Sequence, residues 1–416
     1  MRYLVIGKGG REHAIARALV NSASVDKVFA CPGSQGMGAY IESVSCDLSS
    51  EALSAFCLEN NVDVIVIGPE DPLVAGLATE LRKKNHLVFG PGKDGAELEG
   101  SKIFSKNFME KYQIPTSAFK IVKDVEDVMT AQDSFTPPYV LKADGLAAGK
   151  GVFICKTSEE LEGAAKAIFG DIKFGDANEA LMEQFQPGYE LSYFVLTNGE
   201  KWVSLPLAQD HKKLLENDEG PNTGGMGTVA PMIISDELKD QIESSVVAST
   251  IKGFQQEAFD YKGVVFIGLM ITSEGPQVLE YNVRFGDPET QVLMPLLDGD
   301  WGLTFKAIAQ GELPQLKWKE MATACVVLAA ENYPDSPVKG VTIEGDVESE
   351  NSEGYFLHAG TQLKDGSWQT NGGRVLNAIG VGQNLNQAIA NAYKQSEKIN
   401  WNGMQFRKDI GSKATQ

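Results

Sequence analysis

A chain of 416 residues with 43% hydrophobic and 22% charged residues is long enough for about two to four domains with sizeable cores. The formal net charge of −19 excludes the broad basic footprint of a nucleic-acid-binding protein, so a phosphate site in it must be a local cluster of positive groups. The five scattered cysteines include no C-x-x-C pair, and the four histidines lack metal-ligand spacing, which argues against a disulfide framework or a zinc centre and for reduced thiols in a cytoplasmic protein.

MRYLVIG opens a strand without the basic head and long apolar run of a signal peptide, and the apolar run around Ala322–Ala330 is well short of the ~20 residues that span a bilayer. No membrane contact is expected. The first hundred residues alternate strands and helices: strand Tyr3–Ile6, a helix with Ala14, Ile15, Ala18 and Leu19 inward, strands near Lys27–Ala30 and Val62–Ile67, helix Leu73–Lys84 and strand Leu87–Phe89. This alternation predicts a parallel sheet covered on both faces, with ligands at the carboxyl ends of the strands, where GKGG, CPG and GPEDP lie. Gly7, Gly9 and Gly10 admit either a phosphate at the helix N-terminus or a tight turn with no ligand. Glu12 breaks the dinucleotide fingerprint G-x-G-x-x-G, and no acidic strand end follows at the usual distance.

From Ser101 the pattern changes. A helix through Lys102, Lys106, Met109 and Glu110 leads into a lid-sized unit over about 119–190. Its expected elements are strand Tyr139–Lys142, the loop ADGLAAGKG, strand Val152–Cys155, helix Glu159–Ile168 and strand Ala180–Gln184. Lys150, among Gly145, Gly149 and Gly151, suits a hairpin that folds backbone N–H groups over phosphates, although the string is not a Walker A loop. EQFQPGYE (183–190) reads as a linker. Strands Leu191–Leu196 and Trp202–Pro206 then precede AQDHKKLLENDEGPNTGGMG, taken as a long loop wrapped around a small polar ligand. Helix Asp236–Asp260 and strand Gly263–Thr272 follow.

The stretch QVLEYNVRFGDPETQ (277–291) carries the densest chemistry. Period-2 alternation puts Glu280, Asn282 and Arg284 on one strand face within roughly 13 Å, and Leu279, Tyr281 and Val283 on the other. Carboxylate and amide oxygens suit a hard cation that bridges to phosphate, and a guanidinium suits a carboxylate or phosphate. The alternative is an edge strand with a solvated polar face. Beyond it, a last unit runs from near Thr323 with strand Ala324–Ala330 and helix Leu385–Ile399.

The motifs GREHA (10–14), GPEDPLVAGL (68–77), LEGSK (98–102), KADGLAAGKGV (142–152), QDHK (209–212), GPNTGGMG (220–227), EYNVRFGDPETQ (280–291), HAGT (358–361) and GGRVL (372–376) together resemble the phosphoribosylamine–glycine ligase (glycinamide ribonucleotide synthetase) family of ATP-grasp enzymes in purine biosynthesis. The resemblance runs essentially end to end. It implies a multidomain α/β and α+β architecture. A pre-ATP-grasp parallel α/β domain would span 1–101, an ATP-grasp domain with a mobile lid 102–322, and a small mixed α/β C-terminal domain 323–416. It implies that glycine, phosphoribosylamine and ATP are joined with Mg²⁺ or Mn²⁺ to give glycinamide ribonucleotide, ADP and phosphate by way of glycyl phosphate. By the same resemblance Lys106, Lys142, Gly145, Gly149, Lys150 and Gly151 would meet the ATP phosphates. Glu183, Gln184 and Phe185 would hold adenine, Glu190 ribose, and Glu280 and Asn282 the metal. Gly9, Gly10, Glu70, Asp71, Asp210, Asn222, Thr223, Gly224, Gly225, Met226, Arg284, Gly286 and Asp287 would line the glycine and phosphoribosylamine site, with Arg284, Lys150 and Asp287 catalytic. The family's usual residues are replaced at Gln184, Lys213, Glu216–Asn217, Thr228–Val229 and Ser34, none of them a proposed metal ligand. A monofunctional enzyme in transient contact with the producer of the unstable amine is expected. The other readings are an ATP-grasp ligase for a different acid or amine, a dinucleotide-dependent oxidoreductase, and a non-catalytic nucleotide sensor.

Overall fold

The computed structural model describes residues 1–146, 151–170 and 178–414. The first hundred residues form the expected all-parallel sheet, in spatial order Ile41–Ser43, Lys27–Pro32, Arg2–Gly7, Val64–Ile67, Leu87–Phe89. Its central strand shows why both faces are covered. Tyr3 and Val5 enter one core with Phe89, Phe285, Trp301 and Phe305, while Leu4 and Ile6 enter a second with Leu53, Leu73 and Val246. The expected single helix over 73–84 is two, Glu70–Val74 and Leu77–Lys83. They divide at Gly76, whose φ of +91° favours glycine. The edge strand Ile41–Ser43 and helix Ser50–Asn60 were not anticipated.

The lid-sized unit is a four-stranded antiparallel sheet in the order Phe119–Val122, Ala180–Gln184, Tyr139–Ala143, Val152–Cys155. Two helices, Val125–Ala131 and Ser158–Phe169, pack with it around Leu141, Leu161 and Met182. Much of the expected linker is strand: Gln184 closes one strand and Tyr189 opens the next, leaving Phe185–Gly188 between them.

The main sheet is antiparallel and runs Gly275–Asn282, Gly263–Thr272, Tyr189–Thr197, Leu207–Asp210, Gly227–Met232, Ala322–Ala329, Arg374–Gly382, Gly354–His358. It is therefore continuous from the middle of the chain into its last hundred residues. The expected long loop at 208–227 overlaps this sheet at strand Leu207–Asp210 and contains a hairpin, Lys213–Leu215 with Glu219–Asn222. Its polar composition reflects exposure of that hairpin rather than lack of structure. Helix 236–260 is likewise interrupted by a π-helical turn at Glu243–Val247.

The alternation expected around Glu280 is shifted by a β-bulge. Gly268 pairs with Glu280 and Leu269 with Val278, leaving Leu279 as the extra residue. Val278, Tyr281 and Val283 enter the core, and Leu279 turns to the cleft with Glu280 instead. Among the described residues, no helix is long and apolar enough to cross a membrane.

Candidate active site

One cleft of about 590 Å³ lies where the lid sheet, the main sheet and the N-terminal unit meet. It gathers Glu70, Lys106, Lys142, Gly145, Gly151, Glu183, Gln184, Phe185, Glu190, Asp210, Asn222, Thr223, Gly224, Glu280, Asn282, Arg284 and Asp287 from the expected set. Gly149 and Lys150 lie outside the described residues.

At the lid end, Glu183 is buried between two ammonium groups. Its Oε2 is 3.0 Å from Lys106 Nζ and accepts from Ser117 Oγ at 2.7 Å, and its Oε1 faces Lys142 Nζ at 2.9 Å. Burial alone would raise this carboxyl, but Lys142 and Lys106 hold it down at about 2. Lys106 is spoken for on every side, with further bonds to Thr116 Oγ1 at 2.7 Å and Ser117 Oγ at 3.0 Å, and burial lowers it to about 8. The Glu183 side chain thus orders lysines rather than facing an adenine. The Gln184 amide is likewise closed onto the Thr136 backbone, accepting from its N–H at 3.0 Å and donating to its carbonyl at 3.1 Å.

Glu280 is half-exposed into the cleft. Burial would raise its carboxyl, but Lys212, Lys142 and Lys102 pull it down. Lys212 Nζ stands 3.2 Å from Glu190 and 3.9 Å from Glu280, so one ammonium links the two carboxylates. Asn282 is buried and its Nδ2 has no hydrogen-bond partner. Among the described residues no cluster of three or more His, Cys, Asp or Glu side chains is placed to hold a metal. A carboxylate beside an uncommitted amide is the two-donor oxygen set that suits Mg²⁺, which completes its shell with phosphate oxygens and water.

At the opposite end Arg284 crosses to the N-terminal unit. Its Nε donates to Glu70 at 3.1 Å and its Nη2 lies 2.7 Å from Glu99. These two carboxylates keep Arg284 charged despite burial. Burial pushes Glu99 up to about 7, with Arg284 opposing it. Arg374, from the last unit, donates to the carbonyls of Gly224 and Asp287 and stands 3.4 Å from the Asp287 carboxylate. Asp210, partly buried, and Glu289, fully buried, lie nearby. Burial raises Asp210 well above the carboxylate range, and Glu289 adds to it.

Several expected residues are not on the cleft wall. Asp71 is exposed beyond it, and Met226 is buried just before strand Gly227–Met232, its N–H donating to the His211 carbonyl. Gly225 and Gly286 act by small size: a Cβ on Gly225 would lie 2.8 Å from Asp210 Oδ1, and one on Gly286 2.3 Å from Glu289 Oε2. Gly10 packs against Asn377 and Gln291. The helix N-terminus after Gly9 is occupied by this chain's own carboxylates, since Gly9 N–H donates to Glu12 at 2.7 Å and Arg11 N–H to Asp287 at 3.2 Å. Of the two readings of the glycine turn, this arrangement matches the tight turn, with Glu12 filling the space where a dinucleotide phosphate would sit.

Six charged lining residues carried no assigned role in the sequence: Arg11, Glu99, Lys102, Lys212, Glu289 and Arg374. All six fall inside the quoted motifs, so the charged members of those strings were the available signal.

Three consecutive family models match the chain: phosphoribosylglycinamide synthetase N domain over 1–99, its ATP-grasp (A) domain over 100–290 and its C domain over 323–413. The chain is 42% identical to the phosphoribosylamine–glycine ligase of Mesorhizobium japonicum, over 100% of this chain and 98% of that one. It is 40% identical to that of Caldanaerobacter subterraneus subsp. tengcongensis, over 99% and 100%. A crystal structure of phosphoribosylamine–glycine ligase from Thermotoga maritima superposes with a TM-score of 0.87 at 36% identity, covering 99% of this chain and 100% of that one. The biotin carboxylase domain of Hydrogenobacter thermophilus 2-oxoglutarate carboxylase, crystallised with MgADP, shares the fold at 18% identity, with a TM-score of 0.74 over 97% of this chain and 91% of that one. The chain belongs to the phosphoribosylglycinamide synthetase family of ATP-grasp ligases.

Proposed function

We propose that this chain ligates glycine to 5-phosphoribosylamine at the expense of ATP, giving glycinamide ribonucleotide, ADP and phosphate in purine biosynthesis. The observation that carries this reading is the two-ended cleft, with lysines and hard oxygen donors at one end and Arg284, Asp287, Arg374 and Asp210 at the other. The division into 1–101, 102–322 and 323–416 fits it, because each unit supplies side chains to the cleft: Arg11, Lys142 and Arg374 respectively.

At the nucleotide end, Val140, Ile154, Leu181, Met270 and Leu279 form apolar walls suited to a planar base, whose edge the backbone near Phe185 would read. Glu190 suits ribose hydroxyls. Lys142, Lys102 and, from the glycine-rich sequence that joins the two lid strands, Lys150 would neutralise the phosphates, with Lys106 acting through Glu183. Glu280 and Asn282 would hold Mg²⁺, with Mn²⁺ as a substitute, and the bound cation would neutralise charge on the phosphates. Positioning and neutralisation are most of what phosphoryl transfer requires from a protein.

A glycine carboxylate is a poor electrophile until one oxygen carries the γ-phosphoryl group. Arg284 would pin that carboxylate and the acyl phosphate formed from it, exchanging part of its hold on Glu70 and Glu99. The amine of phosphoribosylamine then attacks the acyl carbon and phosphate leaves. Asp210, on the cleft wall beside Lys212, is placed to receive the proton that the amine gives up. Holding the reactants in near-attack geometry supplies ~7–11 kcal/mol, and exclusion of water protects the acyl phosphate. We place the reaction in the cytoplasm, with the amine handed over in transient contact with the enzyme that makes it.

The direct test is phosphate release from Mg-ATP with glycine and freshly generated phosphoribosylamine, singly and together. Release is expected only with both, matched one for one by glycinamide ribonucleotide; release with another amine or acid alone would redirect the assignment. Arg284→Ala should lower kcat by ~10²–10³, the scale of a lost oxyanion donor. An unaltered kcat with weaker ATP binding would remove Arg284 from that role. The Glu183 carboxyl lies lower in the folded protein, about 2, than its ordinary 4.5, so its contribution to stability is full above pH 4.5 and lost as pH falls toward 2. That difference corresponds to ~3 kcal/mol. Urea unfolding across pH 2.5–6 should show a steeper acid-side loss for the native chain than for Glu183→Gln, and parallel curves would contradict this.

A further inference from the structure

Beyond Asp210 the chain runs along the cleft wall with alternate side chains facing opposite ways. Asp210 and Lys212 line the cleft, while His211 between them is buried toward the last unit of the chain. Both nitrogens of the His211 ring are used. Nδ1 lies 3.1 Å from the Gly227 carbonyl, which can only accept, so Nδ1 carries the proton. Nε2 is then the acceptor for the Gly411 N–H at 3.0 Å. Burial, with Arg407 nearby, lowers the ring to about 4, so it is neutral at physiological pH.

A second tie lies just beyond. Arg407 is only 1% exposed, and its Nη1 donates to the Lys213 carbonyl at 3.1 Å and to Asp218 at 2.9 Å. Its Nε and Nη2 form a bidentate pair with Asp409, both bonds 2.7 Å, and Asp409 also accepts from the Asn217 N–H at 2.9 Å. The segment is itself anchored on helix Leu385–Ser396, where Tyr393 donates to the Arg407 carbonyl at 3.0 Å and accepts from the Ile410 N–H at 3.0 Å. On the cleft side the Lys212 carbonyl accepts from both N–H and Oγ1 of Thr223, each at 2.8 Å.

We propose that segment 407–411, acting through His211 and Arg407, is a positioning element of the active site that fixes Asp210, Lys212 and the 222–225 loop on the cleft wall. The physical argument is one of rigidity. Lys212 must place a single ammonium against two carboxylates, Glu190 and Glu280, from a strand that has already left the main sheet. Its two neighbours, the His211 ring and the Lys213 carbonyl, are held from behind by groups more than 190 residues away in sequence. A misplacement of about 1 Å in such a group costs on the order of 10² in rate. The inference rests on the reading of the cleft as a nucleotide and substrate site.

Two variants separate this role from plain stability. The His211→Asn side chain keeps the donor to Gly227 but is too short for the Gly411 amide, whereas His211→Gln presents an acceptor at the Nε2 position. Mg-ADP affinity by titration calorimetry reads the cleft without requiring turnover, and glycinamide ribonucleotide formation gives kcat and KM. His211→Asn is expected to weaken Mg-ADP binding about 10-fold and to lower kcat/KM by about 10–10², with His211→Gln restoring both to within about 3-fold of the native chain. Native affinity and kinetics in His211→Asn would overturn the proposal, whatever its thermal stability, and so would equal losses in the two variants. Should His211→Asn not fold, Arg407→Lys, which keeps the charge but loses the bidentate fork, takes its place with the same expected weakening and the same contrary outcome. A native chain that binds Mg-ADP but makes no product would defeat the reading of the reaction, while the calorimetric comparison would still decide the positioning role.

Discussion

Lys106 comes from a helix, Lys142 from one strand of the lid sheet and Glu183 from the strand beside it, and the three charged groups meet at the floor of the cleft with little exposure. Two buried ammonium groups against one carboxylate leave an excess positive charge in a molecule whose net charge is −19. Burying the Glu183 carboxylate alone would cost several kcal/mol; it stays charged because Lys142 and Lys106 flank it, and Glu183 in turn offsets the burial of Lys106. The rest of the cleft depends on that arrangement. Lys142 reaches from Glu183 toward the Leu279 carbonyl at 3.4 Å, and Glu280, the next residue, is kept ionised by lysines around it. An acidic protein thereby gathers positive charge in one cleft without a basic surface.

The second end of the cleft depends on contacts between units. Arg284 leaves the bulged strand to meet Glu70 and Glu99, and Arg374 reaches across the continuous main sheet to Asp287 and Gly224. No single unit holds the site. The biotin carboxylase domain that shares this fold at 18% identity illustrates how one scaffold serves different proteins, so side chains, not the fold, set the acid and amine.

Much of this was legible in the sequence because it is local. Strand–helix alternation in the first hundred residues, the hairpin from Gly263 to Asn282 and the lid strands are encoded by periodicity and turns that lie within a few residues of one another. The bulge at Leu279 was not legible, since it is set by the register against Gly268 and Leu269 and not by the 277–291 string itself. The structure of the 208–227 stretch was hidden for a related reason: strand Leu207–Asp210 is stabilised by Gly227–Met232, and the hairpin is tied to Arg407, which lies far along the chain. For the site, motif membership located the residues, but pairing gave them roles. Glu183 is placed beside the adenine-side residues in the sequence, and only the lysines converging on it from two other elements reveal that its side chain serves them.

In the proposed reaction this cleft activates a carboxylate by phosphorylating it before the amine attacks. Glycine labelled with ¹⁸O in both carboxylate oxygens tests this most directly, by mass analysis of the phosphate and ribonucleotide formed with Mg-ATP and phosphoribosylamine. The account predicts one ¹⁸O in each phosphate released and one retained in the amide carbonyl. Phosphate free of ¹⁸O would mean that the carboxylate never received the phosphoryl group, and would contradict it.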